Sequence, residues 1–250
     1  DYQQRHIIGV ATEFGLPEYH YTDQQHHKAV LHRALRRVFP DNEVVITSST
    51  KDGGMSLAFV YSDTNPGEFF LYHRDDKRLE FLFRYMEQVD PARMAKRRPI
   101  AIEARDGLQL HGYLTLPQNQ SKNLPMVVHP HGGPHFVRDR WRFDSAVQML
   151  AHYGYAVLQL NFRGSGGFGK SFEAAGQGQC GGVMQDDLTD ATRSLIEQGI
   201  ADPQRICIYG SSYGGYAALM GAVKEPALYR CAIGSMGVYD LPMMFREGDI

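Results

Sequence analysis

From Pro99 onward, short apolar β-branched runs alternate with segments of helical periodicity, and this alternation restricts the fold more than any other feature of the chain. Residues 126–129, 155–161, 205–209 and 230–234 read as strands. Helices are expected near 143–152, over 184–198 and from about Tyr213. Strands separated by helical crossovers build a parallel sheet with both faces covered. Residues 100–104 and 108–116 flank Arg105-Asp106-Gly107, a hairpin signal that adds antiparallel strands at one edge. Active sites of such α/β sheets lie at the carboxyl ends of the strands.

The first 95 residues follow a different period. Runs at 44–49, 56–62, 68–73 and 78–83 are separated by Lys51-Asp52-Gly53-Gly54, Thr64-Asn65-Pro66-Gly67 and Arg74-Asp75-Asp76-Lys77, all turn chemistry. Four strands in about 40 residues is the size of one β-propeller blade. Residues 7–12 and 19–22 are candidate strands of a preceding blade. Val30, Leu31, Ala34, Leu35 and Val38 mark a helix within 24–38. A lone blade forms no propeller, so the alternative is a small independent β-sheet.

Composition removes several function classes. Lys and Arg total 26 against 28 Asp and Glu, and both halves of the chain are balanced, so nothing marks a nucleic-acid partner. The longest apolar stretches, 156–160 and 216–223, fall far short of the ~18 residues of a membrane span. Three cysteines without paired spacing make neither a disulfide framework nor a zinc knuckle. Cys207 and Cys231 are expected to act as small hydrophobes in buried strands. The chain opens at Asp1 without an initiator Met or a leader-like apolar segment. It reads as a piece of a longer protein, with the cytoplasm as the default compartment.

The chemistry-bearing motif follows the strand at 205–209. Gly210-Ser211-Ser212-Tyr213-Gly214-Gly215 contains Gly210-x-Ser212-x-Gly214, the nucleophile-elbow pattern. Such a turn lifts Ser212 into a strained conformation, and Gly210 and Gly214 leave room for strand and helix to approach. A helix N-terminus behind Ser212 favours a developing oxyanion. A second element, Pro130-His131-Gly132-Gly133-Pro134, follows the strand at 126–129. In α/β-hydrolases the loop after the third strand presents a backbone N–H to the tetrahedral intermediate. Gly133 is the first candidate donor, Gly132 the second, and the N–H of Tyr213 is the expected partner.

Pro130–His135, Asn161-Phe162-Arg163-Gly164-Ser165-Gly166-Gly167-Phe168-Gly169 and the Ser212 elbow occur in that order. Together they resemble the prolyl oligopeptidase family of serine peptidases, especially its acylaminoacyl-peptidase-like branch. The resemblance implies a β-propeller capping an α/β-hydrolase domain and hydrolysis of short peptides. Residues 1–95 would then be the C-terminal part of the propeller. Residues 96–250 would be the N-terminal part of the peptidase domain, its sheet incomplete at the C-terminal edge. The strand at 230–234 would be left as an open edge through which a second copy could pair.

Two other signals point elsewhere. Gly164–Ser171 matches the phosphate-loop pattern and also G-x-G-x-x-G. Either reading needs a sustained helix immediately afterwards, and Gly176, Gly178, Gly181 and Gly182 forbid one. Asp186 or Asp187 is a candidate partner for Arg163, with a solvated Arg163 as the alternative. His129, His131 and His135 are close in sequence but lack a nearby carboxylate to complete a metal set, so no metal or organic cofactor is expected. Trp141 is read as a packing residue.

A serine nucleophile needs a general base. In α/β-hydrolases the order is Ser, then Asp or Glu, then His. All 11 histidines lie between His6 and His152, and none follows Ser212. His131 belongs to the oxyanion loop, and Asp240 is read as structural. The chain therefore carries half an active site, and the 250-residue polypeptide is expected to be inactive while its parent is a serine hydrolase. A carboxylesterase or lipase, and a non-catalytic interaction protein on the same fold, are the alternatives.

Overall fold

The computed structural model describes residues 7–247. The described residues divide into two compact units, 7–96 with 141–145, and 97–140 with 146–247.

In the first unit, β1 (Val10–Thr12) pairs antiparallel with β2 (Glu18–His20) and is followed by α1 (His27–Val38). The helix holds all five periodic apolar residues and starts three residues after Gln24, the first residue of the expected span. Asp23 Oδ1 accepts the N–H groups of Gln25 and His26 at 3.1 and 3.0 Å, a local turn that competes with helix. Four strands then form an antiparallel meander in chain order: β3 (Glu43–Ser49), β4 (Met55–Tyr61), β5 (Glu68–His73) and β6 (Arg78–Arg84). Side-chain caps shape the tight connections. Asp52 accepts from Gly54 N at 3.0 Å, and Asn65 Oδ1 accepts from Gly67 N at 3.0 Å. Alternation along β4 sends Ala58 and Val60 to one face, where they meet Leu35 of α1 and Val44. The other face carries an aromatic row, Phe59, Phe69 and Phe83, with successive ring centroids 4.8 Å apart. Phe83 is 50% exposed. Trp141 is half-buried, and its N–H donates to Glu13 Oε1 at 2.7 Å.

The second unit is a six-stranded mixed sheet in the order β12-β11-β9-β10-β8-β7. The hairpin β7 (Arg97–Glu103) and β8 (Gln109–Thr115) enters at one edge, and β8 runs antiparallel to β10 (Ala156–Asn161). β9 (Leu124–Val128), β10, β11 (Ala201–Ser211) and β12 (Cys231–Ser235) are mutually parallel. The crossovers carry α2 (Ser145–His152), α3 (Lys170–Ala174) with α4 (Val183–Glu197), and α5 (Tyr213–Lys224); α6 (Leu241–Glu247) follows β12. Every residue of β10 is buried, and Met126, Val128, Leu158, Leu160, Ile206 and Ile208 have no exposed surface. Burying a side chain of that size contributes about 1.5–3 kcal/mol before entropy is counted. The α/β class expected from the alternating pattern is the one observed, and the mixed sheet is like that of the α/β-hydrolase domain the resemblance implies.

Strand order explains where chemistry can sit. The chain passes from β9 to β10 on one side, then returns across β9 to β11 on the other. The carboxyl ends of β9 and β11 therefore lie side by side, at the point where the winding reverses.

One sequence expectation is corrected here. Cys207 and Cys231 are not isolated small hydrophobes: strand pairing sets them opposite each other on β11 and β12, and they form a disulfide. A separation of 24 residues gives no hint of this until the register is known. The stretch after Gly169 does hold helix, but only the five residues of α3, which ends before Gly176. It is too short to present the sustained N-terminus that a phosphate loop needs.

Candidate active site

Ser212 is the single residue between the end of β11 and the start of α5. Its backbone lies at φ 57° and ψ −126°, a region non-glycine residues rarely enter, and its side chain is exposed. The bend is tied on both sides. Ser212 N donates to Ser235 O of β12 at 3.0 Å, and Ser212 O accepts from Gly215 N and Tyr216 N at 2.9 and 3.2 Å. Neither flanking glycine tolerates a side chain. A β-carbon on Gly210 would run into the Gly214 backbone, and one on Gly214 into the Pro130 carbonyl oxygen. The Tyr213 side chain is buried, its hydroxyl donating to Cys180 O at 2.9 Å, and burial pushes its phenol well above the ordinary range.

The loop after β9 runs against this bend. A β-carbon at Gly132 would lie 3.3 Å from Ser212 Cβ and 3.8 Å from its Oγ. Gly133 follows at φ +123°, where an added β-carbon would come within 3.1 Å of Val137. The backbone N–H groups of Gly132, Gly133 and Tyr213 have no acceptor among the described residues. At this corner of the sheet the structure thus brings together Ser212, Gly132, Gly210 and Gly214, with Tyr213 and Gly133 adjacent in the chain.

The three histidines of the loop do not converge. His129 Nδ1 lies 2.7 Å from Tyr209 O, with its ring stacked on Tyr209. His131 stacks on Phe162 with centroids 4.4 Å apart; its Nδ1 is 2.7 Å from Gly132 O and its Nε2 2.9 Å from Ser165 Oγ. His135 Nδ1 is buried without a partner among the described residues. Among those residues no group of three His, Cys, Asp or Glu side chains could hold a metal ion.

Arg163 is not solvated. Its Nε and Nη2 donate to Asp187, with Nη2 to Oδ1 at 2.7 Å, its backbone N–H donates to Asp187 Oδ2 at 2.9 Å, and Nη1 reaches Asp106 at 2.8 Å. Two carboxylates therefore hold the guanidinium, and its pKa is raised by them despite desolvation. Asp186, the other candidate partner, instead bonds Lys224 at 3.0 Å. Sequence reasoning missed Asp106 because it lies 57 residues away in the entry hairpin. It also missed the His131–Ser165–Phe162 cluster, which no spacing rule signals.

The profile of the prolyl oligopeptidase family (Peptidase_S9) matches residues 141–250. Dipeptidyl aminopeptidase BIII of Pseudoxanthomonas mexicana is 35% identical over 215 residues, covering 83% of this chain and 31% of that protein. The acylamino-acid-releasing enzyme of Sus scrofa is 32% identical over 148 residues, 58% of this chain and 20% of the enzyme. A crystal structure of puromycin hydrolase superposes with a TM-score of 0.69 at 26% identity, over 80% of this chain and 31% of that one. The chain thus spans less than a third of the length of these relatives. The Ser212 elbow, the loop after β9 and the sheet order accord with the prolyl oligopeptidase family, whose profile residues 141–250 match.

Proposed function

We propose that Ser212 is the nucleophile of a serine peptidase that cleaves short peptides by acyl transfer. The observation that carries the reading is the exposed Ser212 on a positive-φ bend, beside backbone N–H groups of Gly133 and Tyr213 that no acceptor among the described residues uses. Gly132 N–H is the second choice of donor on the loop. In the reaction Ser212 Oγ adds to the scissile carbonyl carbon as its proton passes to a general base. The carbonyl oxygen becomes an oxyanion that the two N–H groups stabilise. Collapse expels the amine, which takes the proton, and leaves an ester on Ser212. Water then adds to the ester, releasing the acid and restoring the hydroxyl.

The base and its orienting carboxylate come, in this reading, from the part of the relatives' length that these 250 residues do not span, since no histidine follows Ser212. The ring nitrogens of His131 are both engaged elsewhere, which argues against a substitute. The 250-residue polypeptide alone is therefore expected to be inactive. Without base assistance turnover drops by about six orders of magnitude.

The first unit supports a β-propeller cap. Its four-stranded antiparallel meander has the size of one blade, and the aromatic row of Phe59, Phe69 and Phe83 is the kind of face a neighbouring blade covers. A cap that admits only small substrates favours a peptidase over the esterase alternative. The test compares turnover of short peptide anilides and aryl esters by the polypeptide its gene encodes, with Ser212→Ala alongside. Amide hydrolysis abolished by the substitution supports the reading; ester hydrolysis without amide hydrolysis favours a carboxylesterase.

A further inference from the structure

We propose that His131 is a positioning residue that sets the direction of the Gly133 N–H, and that Ser165 holds it in place. This rests on the reading of Ser212 as nucleophile and of Gly133 as an oxyanion donor. The Gly132 carbonyl and the Gly133 N–H belong to one peptide unit, and across a trans peptide they point in opposite directions. Whatever fixes the carbonyl therefore aims the N–H. The Gly132 oxygen lies 2.7 Å from His131 Nδ1 and can only accept, so Nδ1 carries the proton and donates. A Gly-Gly unit has no side chains of its own to hold the plane of that peptide, so the constraint has to come from a neighbour.

The ring itself is held on two further sides. It stacks on Phe162, which has no exposed surface, at an interplanar angle of 18°. Its Nε2 is 2.9 Å from Ser165 Oγ, also fully buried; with Nδ1 protonated the neutral ring accepts there, and the single hydroxyl proton of Ser165 is shared between Nε2 and the Phe162 carbonyl 2.7 Å away. The segment carrying Phe162 and Ser165 is in turn fastened by the Arg163–Asp187 contacts. Two backbone bonds lace it to the loop beyond Gly133: Phe136 N to Gly164 O at 3.2 Å and Gly166 N to Val137 O at 3.1 Å. The conformation of the donor peptide is thus built from the second loop, and the Gly-rich segment that imitates a phosphate loop has a mechanical task instead.

Three variants of the gene-encoded polypeptide test this. His131→Phe keeps the stack and removes both ring nitrogens; His131→Asn keeps a donor near the Nδ1 position; Ser165→Ala removes the Nε2 partner. His131→Phe is expected to lower kcat on a short peptide anilide, and the inactivation rate by a fluorophosphonate, by about 10–100-fold with KM nearly unchanged. His131→Asn is expected to recover most of that loss, which a role confined to packing would not allow. Should His131→Phe fail to fold, Ser165→Ala carries the test, with an expected fall in kcat of about threefold to tenfold at constant KM. A wild-type inactivation rate in folded His131→Phe, a loss in His131→Asn as deep as in His131→Phe, or wild-type kcat in Ser165→Ala overturns the role of His131. Absence of a phosphonate adduct on Ser212 in the unmodified protein instead overturns the nucleophile reading beneath it.

Discussion

Gly132 and Ser212 are packed so closely that a methyl group on the first would stand 3.8 Å from the hydroxyl oxygen of the second. The backbone at 132 lies outside the positive-φ region, so alanine is conformationally allowed there. Its β-carbon would meet Ser211 O and Ser212 Cβ at 3.3 Å, a tight contact that small shifts relieve. With Ser212 as the proposed nucleophile, the methyl would nonetheless intrude on the space above its hydroxyl where a substrate carbonyl would enter. Gly132→Ala is expected to fold with nearly unchanged stability and to lose about 100-fold or more in kcat/KM, measured by steady-state hydrolysis beside a thermal melt.

Gly214 behaves differently. A β-carbon there collides with the Pro130 carbonyl oxygen, which is backbone and cannot swing aside. Gly214→Ala is expected to destabilise the second unit by about 1–3 kcal/mol or more, read from urea denaturation. A fully stable variant would mean that β9 and α5 separate more easily than their packing indicates.

Asp187 is buried with its charge neutralised by Arg163. Removing the carboxylate strands a guanidinium whose remaining ionic partner is Asp106. Asp187→Ala is expected to cost about 3–5 kcal/mol, with Asp187→Asn milder because the amide oxygen still accepts. Equilibrium unfolding of both variants checks the order.

Asp106 contributes a pH-dependent share. Its hydrogen bond to Arg163 holds its carboxyl below the ordinary aspartate value. Between the two values the unfolded chain binds more protons than the folded one, so this contribution is complete above the ordinary value, about 3.9, and disappears as pH falls through the folded value. The carboxylate is half exposed, which limits its worth to at most about 1 kcal/mol. Asp106→Asn should therefore lower stability at neutral pH, and its unfolding midpoint should converge on that of the wild type in acid.

The parts of this molecule legible in the sequence are those encoded by local pattern. β5 coincides with the run at 68–73, and α5 begins at Tyr213 as the elbow motif requires. Glycine spacing around Ser212 announces a close approach of strand and helix, and the collisions at Gly210 and Gly214 give its physical reason. What stayed hidden depends on register and long-range contact. The Cys207–Cys231 bond exists because β11 and β12 pair in one register, and Asp106 meets Arg163 because the entry hairpin folds back over 57 residues. The surroundings of His131 were hidden for the same reason. From sequence it is a loop histidine, poorly placed as base and lacking a carboxylate for a metal set; its contacts with Phe162, Ser165 and Gly132 emerge only from the fold.

The decisive measurement is the site of covalent modification. The gene-encoded polypeptide is treated with a fluorophosphonate, digested, and its peptides are mapped by mass spectrometry. A single adduct on Ser212, absent from Ser212→Ala together with peptide hydrolysis, is the expected result. An adduct on another residue, or peptide hydrolysis that survives Ser212→Ala, would contradict the assignment of Ser212 as nucleophile.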